Sequence, residues 1–234
     1  EIEKAEGIYM FGPNGQKYID LISGIGVSNV GHRHPEVVKA AQDQMDKYMH
    51  LMVYGEFVQS PQSILAKALT DTLPKKLDNV YLVNSGSEAI EGAMKLAKRH
   101  TGRPNIISCV DAYHGSSHGA LSVGGNEIFK RNYRPLLPGI SHIVYGGFAD
   151  LEKIDKDTAA VFIETIQGEA GIKVACKEYF QALRRKCNET GTLLVCDEIQ
   201  CGFGRTGKFW AFEHFEIVPD IVCCAKGMGG GMPI

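Results

Sequence analysis

The 234 residues are 44% hydrophobic and 22% charged, which supplies a globular core and argues against disorder. A net charge of -2 with no block of like charge argues against nucleic acid and anionic membrane as partners. No apolar run reaches the roughly 18 residues of a membrane span. The seven cysteines, an odd number set partly in apolar runs, read as reduced and mostly buried thiols of a cytoplasmic protein, not as a disulfide framework.

In chain order, residues 7–20 read as a hairpin turning at Pro13-Asn14-Gly15. Residues 35–48 and 60–73 read as helices, and 80–83 as a strand. A helix follows over 87–99, with Ile90, Met94, Leu96 and Ala97 on its apolar side. Strands are expected at 105–110, 159–163, 192–196 and 221–225, and a helix at 177–190 closed by Gly191. Apolar strands without polar alternation belong to a sheet covered on both faces. Their alternation with helices predicts an α/β fold with a mainly parallel sheet and helices on both faces. Residues 1–60 are taken as an N-terminal small-domain arm and 61–234 as the large domain. The glycine-rich end, Gly227 to Ile234, reads as a loop cut short.

Three short stretches carry candidate chemistry. Asn84-Ser85-Gly86-Ser87-Glu88 follows one predicted strand and opens a helix. The first N–H groups of a helix lack internal acceptors, so this turn suits a phosphate, with Ser85 and Ser87 hydroxyls as further donors. An ordinary N-cap of the Ser-x-x-Glu kind explains the same residues. Asp197-Glu198-Ile199-Gln200 ends an apolar strand, where ligands of open α/β sheets collect. Successive strand residues point to opposite faces, so Asp197 and Glu198 cannot both face one site unless the strand has already turned. A Mg²⁺ site of Walker B type would also end a strand in Asp-Glu, but it needs a P-loop, and G-x-x-x-x-G-K-[ST] does not occur. Lys226 follows the apolar run 221–225. Partial desolvation there lowers a lysine pKa and frees the amine as a nucleophile, although taken singly a surface lysine capping a strand is the more ordinary reading. His114 and His118 have i, i+4 spacing, but Gly115-Ser116-Ser117 between them argues against a helical metal site, and no metal is expected.

With these residues in place, the chain resembles the class III, fold-type I pyridoxal-phosphate aminotransferases of the acetylornithine and ornithine branch. The likeness runs from Gly26-Val27-Ser28-Asn29-Val30-Gly31-His32-Arg33-His34-Pro35 through residues 84–91, Tyr113-His114-Gly115, Ile166-Gln167-Gly168-Glu169-Ala170-Gly171 and residues 197–207 to 225–233. The resemblance implies pyridoxal 5'-phosphate as cofactor and a homodimer lacking here its C-terminal domain. It implies Lys226 as the lysine that binds the cofactor covalently and Asp197 as partner of the pyridine nitrogen. Gly86 and Ser87, with Ser85 nearby, would hold the phosphate. Tyr113 would stack on the ring, with His114 beside it. Gln200 would lie near the phenolic oxygen, Glu169 in the substrate pocket, and Glu164 would orient neighbouring groups. Thr165 departs from the family's usual proline. The implied activity is amino transfer from an ω-amino donor, N-acetylornithine or ornithine, to 2-oxoglutarate. A glutamate-semialdehyde aminomutase and an inactive cofactor-domain fragment are the alternatives.

Overall fold

The structure, a computed structural model, describes residues 1–52 and 55–234. Contacts group the chain into two units, one of residues 1–82 with 226–233 and one of residues 83–225 with Ile234.

In the first unit, β1 (Lys4–Glu6), β2 (Tyr9–Phe11) and β3 (Lys17–Ile19) form an antiparallel sheet in the order β1-β2-β3. The β2–β3 hairpin is the one expected, with Gly15 at φ +76° in its turn. The short β1 was not expected, because Lys-Ala-Glu offers no apolar alternation. Asp20 receives a 2.7 Å contact from His32 Nε2 and accepts the N–H groups of Ile22 and Ser23, which fixes the chain after β3. Helices α1 (Pro35–Met45) and α2 (Ser60–Asp71) each start with a proline in the first turn, where its missing N–H costs nothing. Both end earlier than the predicted 48 and 73.

The second unit holds α3 (Gly86–Thr101), β4 (Asn105–Cys109), α4 (His118–Val123), α5 (Glu127–Lys130), β5 (Ile140–Ile143), β6 (Thr158–Glu164), α6 (Lys177–Thr190), β7 (Leu193–Asp197) and β8 (Ile221–Cys223). Its sheet has the order β5-β4-β6-β7-β8, and every pair is parallel. α6 matches its expected bounds and closes on Gly191 at φ +67°, a left-handed cap that glycine adopts without strain. Residues 80–83 form no strand: an apolar run becomes one only with a ladder partner, and among the described residues nothing pairs with it.

Strand alternation divides the core. Ala160, Phe162, Val195 and Cys223 pack with Ile90, Ala93, Met94 and Ala97 of α3, spaced for one helix face. Leu96, expected on that face, falls off the stripe and is 55% exposed. Val161, Ile163, Leu194 and Cys196 point the other way, where Tyr179, Phe180, Leu183 and Cys187 of α6 are buried beside β7. An aromatic cluster extends that layer, with Phe180 stacked on Phe215 at 4.0 Å and on edge to Tyr179 and Tyr145.

The centre of this core is β6, every residue of which is buried. Phe162→Ala should therefore lower unfolding free energy by about 3–5 kcal/mol, the usual cost of deleting a buried ring. Chemical denaturation of variant and parent measures it; a loss below about 1 kcal/mol would show that Phe162 is not in the packed interior.

Candidate active site

All strands of a parallel sheet bring their carboxyl ends to one edge, and here the registers align three of them. Glu164 lies opposite Asp197, and Asp197 opposite Cys223. Glu164 and Asp197 continue the parity of Phe162 and Val195, so both carboxylates emerge on the α3 side of the sheet. Glu198 has the opposite parity and turns away, as the alternation predicts. It is fully buried and accepts the N–H groups of Ala211 and Phe212 at 2.7 and 2.9 Å and the Thr165 hydroxyl at 3.0 Å.

On the α3 side, α3 begins at Gly86 with Ser85 as its cap: Ser85 Oγ accepts the Glu88 N–H, and the Glu88 carboxylate reaches back to the Asn84 N–H at 2.7 Å. The cap reading of this sequence is thus realised, and it leaves the N–H groups of Gly86 and Ser87 without helical acceptors. A side chain at Gly86 would meet Ile199, its Cβ falling 2.9 Å from Ile199 Cδ1, so the helix start is pressed onto the segment just after Asp197. A Cβ at Gly115 would collide with Ser87, whose hydroxyl accepts the Ser116 N–H. The α3 start, the Tyr113–Ser116 loop and the Asp197–Gln200 turn are therefore in contact.

Asp197 is 4% exposed. Its Oδ2 lies 2.7 Å from His114 Nδ1 and its Oδ1 accepts the Ile199 N–H at 3.0 Å. The far side of the imidazole meets Ser108 Oγ at 3.1 Å, and the ring stands on edge to Phe162. Burial disfavours a charged imidazole, but the hydrogen bond and negative charge of Asp197, with the charge of Glu164, outweigh it and raise the His114 pKa. The Tyr113 N–H is held by Glu164, and its ring packs on edge against Phe129 at 5.8 Å. The end of the Gln200 side chain lies against Gly168, where any added Cβ would require it to shift. Glu169 is exposed on the turn that follows.

Ser85, Gly86, Ser87, Tyr113, His114, Asp197 and Gln200 thus all belong to the second unit. Lys226 follows Ala225 in the chain, groups by contacts with the first unit, and opens a short 3₁₀ turn, Lys226–Gly229, at φ +44°. Sequence reasoning missed Glu91. Its carboxylate accepts the Ser117 hydroxyl and the Gly119 N–H, both at 2.8 Å, and so caps α4 from α3. The readable signal was Glu91 one helical turn past the Ser87 start, on the side facing a Gly-Ser-Ser-His-Gly loop.

The chain matches the family model described as "Aminotransferase class-III" over residues 1–234. It is 44% identical over 232 residues to the acetylornithine aminotransferase of Methanopyrus kandleri, a match covering 98% of this chain and 59% of that protein. It is 42% identical over 233 residues to the LysW-aminoadipate semialdehyde/glutamate semialdehyde transaminase of Sulfolobus acidocaldarius, covering 100% of this chain and 60% of that one. Among solved structures it is similar to the ornithine aminotransferase of Toxoplasma gondii, in which pyridoxal phosphate partly occupies the active site. There the TM-score is 0.90 at 30% identity, covering 99% of this chain and 56% of the other. The chain therefore spans about three-fifths of the length of the curated relatives it matches.

The acids at the strand ends make stability depend on pH. Burial, against the Ala211, Thr165 and Phe212 donors and with some repulsion from Asp197, pushes Glu198 up to about 7. Burial likewise pushes Glu164 up to about 7, against the pull of His114. A raised carboxyl pKa means that the folded protein holds the proton more tightly, so this contribution is whole below about 4.5 and lost as pH rises through 7. His114, also raised, contributes in the same direction. Unfolding free energy should thus fall between pH 4.5 and 8. Glu198→Gln, which mimics the protonated acid, should remove on the order of 3 kcal/mol of that fall. Denaturation curves across the range test this, and an unchanged slope in the variant would locate the effect elsewhere.

Proposed function

The chain belongs to the class-III aminotransferases, and from that membership we propose that the whole protein transfers an amino group from an ω-amino donor, N-acetylornithine or ornithine, to 2-oxoglutarate, with pyridoxal 5'-phosphate as cofactor. The observation that carries the reading is the buried Asp197–His114 pair beside the start of α3, since it offers a carboxylate for a protonated ring nitrogen next to amide donors for a phosphate. The names of the acetylornithine and ornithine aminotransferases among its relatives support the donor class. Gln200 after Asp197-Glu198-Ile199 speaks for a transferase over an aminomutase. Residues 1–60 would serve as a small-domain arm, 61–234 as the cofactor-binding domain, and a second copy as the partner.

The donor set fits the cofactor. Gly86 and Ser87 N–H groups at a helix start, with the Ser85 and Ser87 hydroxyls, suit a phosphate monoester. Asp197, with His114 fixing one oxygen, suits a pyridinium N–H. When bound, pyridoxal phosphate supplies an electron-accepting ring. Tyr113 would face that ring and exclude water. Gln200 would bond its phenolic oxygen, and Glu169 would meet the donor. Lys226 Nζ would hold the cofactor covalently and, once displaced, act as the base that takes the proton from the donor carbon. Ser108 and His114 keep the Asp197 carboxylate oriented, because each polar atom in this buried chain has a partner.

Two outcomes test this on the full-length protein. Borohydride reduction with pyridoxal phosphate should fix an adduct on Lys226, and Lys226→Ala should yield none; an adduct on another lysine in the parent would overturn the assignment. Asp197→Ala removes a charged hydrogen bond of about 1.5–3 kcal/mol, so kcat should fall roughly tenfold to a hundredfold. Steady-state kinetics at saturating cofactor read this, and a loss under about threefold counts against the role.

A further inference from the structure

Glu164 ends β6 with a side chain that is almost wholly buried. An acid at such depth costs free energy unless its oxygens are bonded, and an apolar residue is the ordinary occupant. Both oxygens are in fact used, by different parts of the chain. Oε2 accepts the Tyr113 N–H at 3.1 Å, and Oε1 accepts the Gly168 N–H at 3.3 Å. Tyr113 belongs to the loop after β4, while Gly168 belongs to the turn after β6 that carries Glu169. A single carboxylate therefore joins two loops through backbone groups, one on each of its two acceptor oxygens. Gln167, next to Gly168, adds a second tie between the same loops by donating from Nε2 to the Val110 carbonyl at 3.0 Å.

We propose that Glu164 is a positioning residue whose ionised carboxylate fastens the Tyr113 loop to the Gly168–Glu169 turn, and so sets ring-facing and donor-facing groups at a fixed spacing. The inference rests on the roles given to Tyr113 and Glu169 above. The titratable groups around Glu164 are few. Burial lifts Cys109 on β4 to about 12 and lifts Tyr145, after β5, above the ordinary tyrosine range, so both stay neutral. His114 and Asp197 oppose each other's influence on Glu164, and burial raises it to about 7. Above that pH the carboxylate accepts both N–H groups. Below it one oxygen carries a proton and one loop is held less firmly.

Amide NMR and hydrogen exchange on the full-length protein without cofactor test this directly. The Tyr113 and Gly168 amide signals should titrate together with a midpoint near 7, and the protection of both, taken relative to the intrinsic exchange rate at each pH, should exceed that of neighbouring amides more on the alkaline side. In Glu164→Gln the joint titration should vanish, and at least one of the two amides should exchange tenfold faster at pH 8. In loaded enzyme the same variant should raise KM for the amino donor severalfold while flattening its pH profile. A merely structural glutamate would lower thermal stability without changing that profile. Amides that do not titrate together in the parent would overturn the proposal, even if Glu164→Gln does not fold. If the amides behave as expected but the parent binds no pyridoxal phosphate by absorbance, the tie between the loops stands and the roles of Tyr113 and Glu169 fall.

Discussion

A carboxylate held almost out of water is expensive unless its partners are already in place, and the Asp197–His114 contact meets that condition at the end of β7. The contact spans two distant chain segments, so it forms only when β4 and β7 have been ordered by β6 between them. Phe162 of that middle strand also supplies the apolar surface beside the imidazole. The site's electrostatics thus depend on the sheet's order. Moving β6 would separate the acid from its base and strip the base of its packing.

Three acids crowd this edge, and strand alternation keeps them from acting as one cluster. Glu164 and Asp197 share a face, while Glu198 faces the layer of Ala211 and Phe212. Each has its own donors, and the imidazole sits with the pair whose charges would otherwise repel. Thr165, where the resemblance leads one to expect proline, has a physical use in this arrangement: its hydroxyl donates to Glu198. A proline there has no hydroxyl and would leave Glu198 with two donors instead of three.

Much of this was legible from residues alone, for reasons that can be named. β6 was visible because a strand buried on both faces needs no polar positions, and α6 because its stripe ends on a glycine that tolerates the left-handed cap. Asp197 was legible as a strand-end acid, and Ser85 to Ser87 as a helix start. Residues 80–83 were misread because pattern records apolarity, whereas a strand also needs a partner. α4 and α5 were missed because six and four residues are too few to show a period. Contacts over long separation leave no local trace: His114 on Asp197, Glu91 on Gly119 and Glu164 on Tyr113 are choices of fold, not of neighbouring sequence.

What sequence does mark is where backbones must come close. Gly86 against Ile199, Gly115 against Ser87 and Gly119 against Glu91 are three positions where a methyl group would strike a neighbour. Gly115 and Gly119 lie along the seam between α3 and the segment that follows Tyr113 and His114, and Gly86 lies where α3 meets the turn after Asp197. A helix start can lend its free N–H groups to a ligand only if the ligand's other contacts lie within a few ångströms, and bulk at these glycines would press α3 away from the turn after Asp197 or from the segment after His114. The glycines thus do for spacing what Asp197 and His114 do for charge. Neither is sufficient alone: a tight seam without the buried pair is only a well-packed helix, and the pair without the seam would hold its charge away from the amide donors of α3.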